Sequence, residues 1–75
     1  MTHHVMILSE ADPNHPGFIR RYYATIDIFI SGQNWEWCQV DCKGNYVGNN
    51  HSPFISEIDA KADALKSLNG DEWKE

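Results

Sequence analysis

Two cysteines and four histidines are the side chains here whose types suit metal ligation or nucleophilic chemistry. Cys38 and Cys42 stand four positions apart in a segment that alternates like a strand. Extended geometry holds such a pair about 13 Å apart, beyond the reach of one ion and of a disulfide. His3, His4, His15 and His51 fall at the terminus or among turn-forming residues, so a site built on them needs a loop closure that no spacing specifies. Two free thiols, no metal and no cofactor are therefore expected, the cysteines acting as small buried hydrophobes. No spacing sets a nucleophile beside a base. Ser9, Ser31, Ser52, Ser56 and Ser67 each occupy a turn or cap position, and phosphate-loop, nucleophile-elbow and dinucleotide motifs are absent. The chemistry expected is binding without catalysis.

Binding needs a surface, and the stretch from Tyr22 to Val47 offers one. Tyr22, Ala24, Ile26, Ile28 and Ile30 alternate with Tyr23, Thr25, Asp27 and Phe29, the period of a strand with one buried face. Ser31-Gly32-Gln33-Asn34 is turn chemistry. From Trp35 the alternation resumes, with Cys38, Val40 and Cys42 on one side and Trp35, Trp37, Gln39 and Asp41 on the other. Asp41-Cys42-Lys43-Gly44 suits a type I turn closed by glycine, and a shorter third strand follows from Asn45 to Gly48. With the isoleucine face, Cys38 and Val40 turned to the core, the other face displays Tyr23, Asp27, Phe29, Trp35, Trp37 and Asp41. These six are the candidate partner-binding residues, since exposed aromatics rimmed by acids resemble a protein-binding surface. Two other readings stand beside it. Cross-strand aromatic pairs stabilise a hairpin by about 0.2–1 kcal/mol each without any ligand, and aromatic sheets stack the bases of single strands.

The elements that must position this surface make one small domain. An apolar run at residues 4–8 suits an edge strand, 9–19 is a loop with two prolines, 20–48 is the meander, and 49–53 is a second loop. A helix is predicted over 56–68, with Ser56 as N-cap and Asp59 three positions on. Ile58, Ala62 and Leu65 form its apolar stripe, Asp59 and Asp63 lie opposite, and Asn69-Gly70 stops it before a charged tail at 69–75. The fold expected is α+β, a three- to four-stranded antiparallel β-meander with one C-terminal helix on one face. Its core should rest on Ile26, Ile28, Val40, Ile58 and Leu65.

Charge narrows the partner. Eleven acidic and six basic side chains give a net charge of −5 over 75 residues, which repels phosphate backbones and suits a partner with a basic or apolar surface. Arg20-Arg21, the only adjacent basic pair, reads as a solvated flank of the first firm strand or as an anion anchor. No apolar stretch approaches membrane-spanning length, and no secretory signal is visible, so a cytoplasmic protein is expected.

The pattern W-x-W-x-x-V-D-x-x-G-x-x-V from Trp35 to Val47, then Pro53-Phe54-x-Ser56 and Asp59-Ala60-x-Ala62-Asp63-Ala64, resembles the small YegP-type bacterial domains. The β-β-β-α order is also similar to the N-terminal part of HicB-type antitoxins, without their Gly-Cys turn. Both resemblances imply association through sheet edges or faces, a regulatory role and no catalytic residue. The function expected is a stoichiometric inhibitor or modulator of a protein complex, phage or mobile-element encoded and directed at a host defence or nucleic-acid-binding complex. A nucleic-acid-binding module and a self-associating homodimer are the alternatives.

Overall fold

The structure, a computed structural model, describes residues 2–74; Met1 and Glu75, the last residue of the predicted tail, lie outside the described residues. It is α+β: a single antiparallel sheet with one helix across one face. Five strands build the sheet, β1 (Thr2–Ala11), β2 (Ile19–Ser31), β3 (Asn34–Val40), β4 (Tyr46–Phe54) and β5 (Glu72–Lys74), with the helix α1 (Glu57–Ser67) between the last two. Their spatial order is β4-β3-β2-β1-β5. This corrects the expected three or four strands.

The N-terminal run is no edge. β1 pairs with β2 from Thr2 opposite Ile28 to Ala11 opposite Ile19, and its other side takes β5 through Met6 opposite Trp73. The 9–19 loop shrinks accordingly, since Ser9, Glu10 and Ala11 pair with Arg21, Arg20 and Ile19. Residues 49–53, expected as a loop, belong to β4, whose register against β3 shifts on either side of Trp37. Such bulges absorb extra residues without ending the ladder, and an edge strand tolerates Pro53. The tail supplies β5, which has strand form only because β1 is there to pair with it.

One turn decides which residues face the helix. Ser31 pairs directly with Asn34, leaving a two-residue loop of Gly32 and Gln33. Gly32 has φ +64 while Gln33 stays at negative φ, the pattern of a type II′ turn, which needs glycine first. The tight loop sets Ile30 opposite Trp35, Ile28 opposite Trp37 and Asp27 opposite Cys38. Directly paired residues share a face. Trp35 and Trp37 therefore stand with the isoleucines under the helix, and Cys38 and Val40 stand on the other face with Asp27 and Thr25. This reverses the predicted faces of β3, because taking Ser31–Asn34 as a four-residue turn leaves the parity of the following strand unset.

The core lies between sheet and helix: Met6 and Leu8 from β1, Ala24, Ile26 and Ile28 from β2, Trp37 from β3, and Ala60 and Ala64 from α1. Of the expected core, Ile26 and Ile28 are fully buried, and Leu65 packs at the margin. Val40 is half-buried on the far face, and Ile58 is 78% exposed. The helix is thus rotated from its most hydrophobic stripe. Alanines bring its backbone close over the large Trp37 ring, and Asp63, predicted to face solvent, is half-buried and accepts the indole N–H of Trp37 at 2.9 Å. Hydrophobicity alone does not register either need, for small contacts or for an acceptor.

Both helix ends follow the sequence. Ser56 Oγ accepts the backbone N–H of Asp59 at 3.2 Å. At the C-terminus Asn69 takes φ +51, its N–H reaches Lys66 C=O, and Gly70 N–H reaches Leu65 C=O at 2.9 Å, a Schellman motif. Gly70 is needed for space, not for φ. A Cβ there would lie 2.8 Å from Leu65 Cδ1 and from Met6 Cγ, and against Met6 Sδ.

Candidate functional site

Among the described residues no element covers the sheet face away from the helix. Directly paired residues lay out its rows. Phe29 and Glu36 form the first. His3, Asp27 and Cys38 form the second. Lys74, Val5, Thr25, Val40 and Tyr46 form the third, and Glu72, Ile7 and Tyr23 the fourth. An apolar band thus crosses the middle of the face, acids lie at its hairpin end, and the Lys74 ammonium sits 5.0 Å from the centroid of the Tyr23 ring. Tyr23 is 62% exposed; Val5, Ile7, Phe29 and Val40 are half-buried.

Of the six candidate residues, Tyr23, Asp27 and Phe29 come together on this face. Trp35 and Trp37 do not. Trp37 is 1% exposed, roofed by α1 and stacked on His51 with ring centroids 4.0 Å apart, and Trp35 packs at the core margin beside Phe54. Asp41 is a turn residue: its Oδ1 accepts the backbone N–H groups of Lys43 and Asn45, each at 2.9 Å. Its C=O accepts Gly44 N–H, as the type I turn requires. Sequence reasoning missed Val5, Ile7, Val40 and Tyr46. A signal existed for two of them: the unbroken apolar run Val5-Met6-Ile7-Leu8 marks a strand with apolar surroundings on both faces.

The row His3–Asp27–Cys38 holds the groups closest to a catalytic set. His3 Nδ1 hydrogen-bonds the Asp27 carboxylate, and Asp27 is 4% exposed. Cys38 is fully buried beside it. Burial pushes the Cys38 thiol pKa up, and the Asp27 and Glu36 carboxylates push it further in the same direction. Thiolate is disfavoured there, the opposite of what a nucleophile needs. Asp27 also stands between His3 and Cys38, so the imidazole has no direct line to the sulfur. Both cysteines are free, Cys38 buried and Cys42 exposed. Among the described residues no three His, Cys, Asp or Glu side chains gather as a metal-binding group.

A second concavity, of about 290 Å³, lies at the β1–β2 loop and is lined by Asp12, His15, Phe18, Ile19 and Arg20. Its charges are paired locally: His15 Nδ1 lies 3.1 Å from Asp12 Oδ2, and Arg20 bonds Glu10, which raises the guanidinium pKa. The lining left over is the exposed pair Phe18 and Ile19. Among the described residues no helix is long and apolar enough to cross a membrane. No family model, curated protein or solved structure matches the chain.

Proposed function

We propose that the protein acts by stoichiometric binding, as an inhibitor or modulator of a protein complex, and that the uncovered sheet face is its contact surface. The observation that carries this reading is the band Val5, Ile7, Tyr23 and Val40 on a face that no element among the described residues covers. Contiguous apolar surface of this kind marks interaction sites. The partner matches it with an apolar centre and a basic rim, because the hairpin end of the face carries Glu36 and Asp27 and the chain as a whole is at −5. A basic nucleic-acid-binding groove is such a surface, which fits an element that disables a host complex. Nucleic acid itself is the weaker reading, since Arg21 and Lys74 are the only arginine and lysine that the β1, β2, β3 and β5 registers place on this face among the described residues.

The test places a photo-crosslinking amino acid at position 23 and identifies the adduct from host cells by mass. A single basic protein or complex is expected, and the purified partner should then bind the wild type at one-to-one stoichiometry. Tyr23→Ala should weaken that binding by about 30-fold, the effect of a 2 kcal/mol anchor. Adducts only to a second copy of the chain, or to nucleic acid, would overturn the reading, and so would binding that Tyr23→Ala leaves unchanged.

A further inference from the structure

We propose that Ile30, Ile55 and Ile58 form a second docking surface, at the hairpin end of the helix-bearing layer, and that its occupant is a cationic amphipathic segment of a protein partner. These side chains are 58%, 89% and 78% exposed. Ile30 heads a row with Trp35 and Phe54, Ile55 follows Phe54 in the chain, and Ile58 lies in the first turn of α1 just past Glu57. Trp35 and Phe54 pack against the core, so the patch has a rigid apolar floor. The fold does not need isoleucine at these places. Burial of each would stabilise the fold, yet the helix meets the sheet through Ala60 and Ala64 and leaves Ile58 in water.

Charge selects the occupant. Neither the stretch between Arg21 and Lys43 nor that between Lys43 and Lys61 contains a lysine or arginine. β4 thus carries no Asp, Glu, Lys or Arg, and the first turn of α1 carries acids alone, Glu57 and Asp59 flanking Ile58. Glu57 is held in place, its Oε1 accepting the Thr2 hydroxyl at 3.0 Å and lying 3.4 Å from His4 Nε2. A second copy docked on the same patch would bring the two sets of acids together, which costs affinity. Anionic lipid is repelled for the same reason. A helix with leucine-type anchors at i, i+3 and i+4 and lysines beside them meets both the apolar floor and the acidic rim. This surface is independent of the open sheet face, because Ile30 and Tyr23 stand on opposite faces of β2.

The experiment titrates the full-length protein into a dye-labelled synthetic helical peptide of leucine and lysine and reads fluorescence anisotropy. A peptide with glutamate for lysine is the control. Saturable one-to-one binding of the lysine peptide is expected, weakened at least about tenfold by Ile55→Ser with Ile58→Ser, the loss of about 1.4 kcal/mol. Glu57→Gln with Asp59→Asn should reduce affinity and flatten its salt dependence, and Tyr23→Ala should change nothing. Thermal melts check that each variant stays folded, and Ile55→Ser alone tests the patch outside the helix. Equal binding of the glutamate peptide, indifference to the isoleucine variants, or loss on Tyr23→Ala would overturn the proposal. So would a wild-type dimer in sedimentation that Ile55→Ser abolishes.

Discussion

The indole N–H of Trp37 is tolerated in the core because Asp63 accepts it, and Asp63 in turn also accepts the hydroxyl of Ser67 at 3.3 Å. Asp63→Ala should leave that donor buried without a partner, at a cost of about 1–3 kcal/mol. In a Trp37→Phe background, where the donor is gone, the same change should cost measurably less; equal costs in urea melts would show that the bond contributes nothing. Trp37→Ala should lose about 3–5 kcal/mol, a large part of what a domain this small holds in total. Cys38 yields a pH prediction. Its folded pKa lies above the unfolded value of about 8.5, so the native state keeps the proton that the unfolded chain releases. The contribution is full below the unfolded pKa and is lost as pH rises through the folded one. Stability should therefore fall in the alkaline range, and Cys38→Ala should flatten the fall. At pH 8 a maleimide should label Cys42 in the native protein and Cys38 only on unfolding. Sequence showed Ile26 and Ile28 as core through simple alternation, and placed Tyr23 and Phe29 together. It could not place the tryptophans, because their side is set by pairing across a turn and not by their own strand.

At the scale of elements, the clearest sequence signals were local ones. The Ser56 cap and the Asn69-Gly70 stop both rest on backbone groups within a few residues, and both form as read. The residue roles at the stop invert the usual order, with asparagine at positive φ and glycine where space is short. Asn69→Gly should accordingly be tolerated within about 0.5 kcal/mol, while Gly70→Ala should cost about 1–3 kcal/mol by pressing on Met6 and Leu65. Thermal melts separate the two, since 1 kcal/mol moves the midpoint of a domain this size by about 4–8 °C; a neutral Gly70→Ala would mean that Met6 moves aside freely. β4 was legible only at its start, where the third strand was read as far as Gly48, and the rest of it and β5 were illegible for the opposite reason. Past Gly48, β4 reads as turn formers because its bulges keep a poor strand sequence paired, and β5 is too short to carry a period of its own.

The whole molecule is elongated, 46 × 24 × 22 Å, and its charges are sorted along it. Arg20 and Arg21 lie toward the β1–β2 loop, while the β2–β3 hairpin, far from that loop along β2, has no cation at all. An uneven field of this kind orients a charged partner before contact. The two-residue turn at Gly32-Gln33 has a further consequence, for the chain lengths the fold can accept. Because a strand's side chains repeat with period two, one residue added between Gly32 and Gln33 would send Trp35 and Trp37 into solvent and bring Glu36 and Cys38 under the helix. A single-glycine insertion should abolish the cooperative melt and shift tryptophan emission to the red. A two-glycine insertion keeps the parity and should cost only about 0.6 kcal/mol in loop closure. Viable length variants of this hairpin would then differ by even numbers of residues, each odd step being a lesion as severe as deleting the core tryptophan.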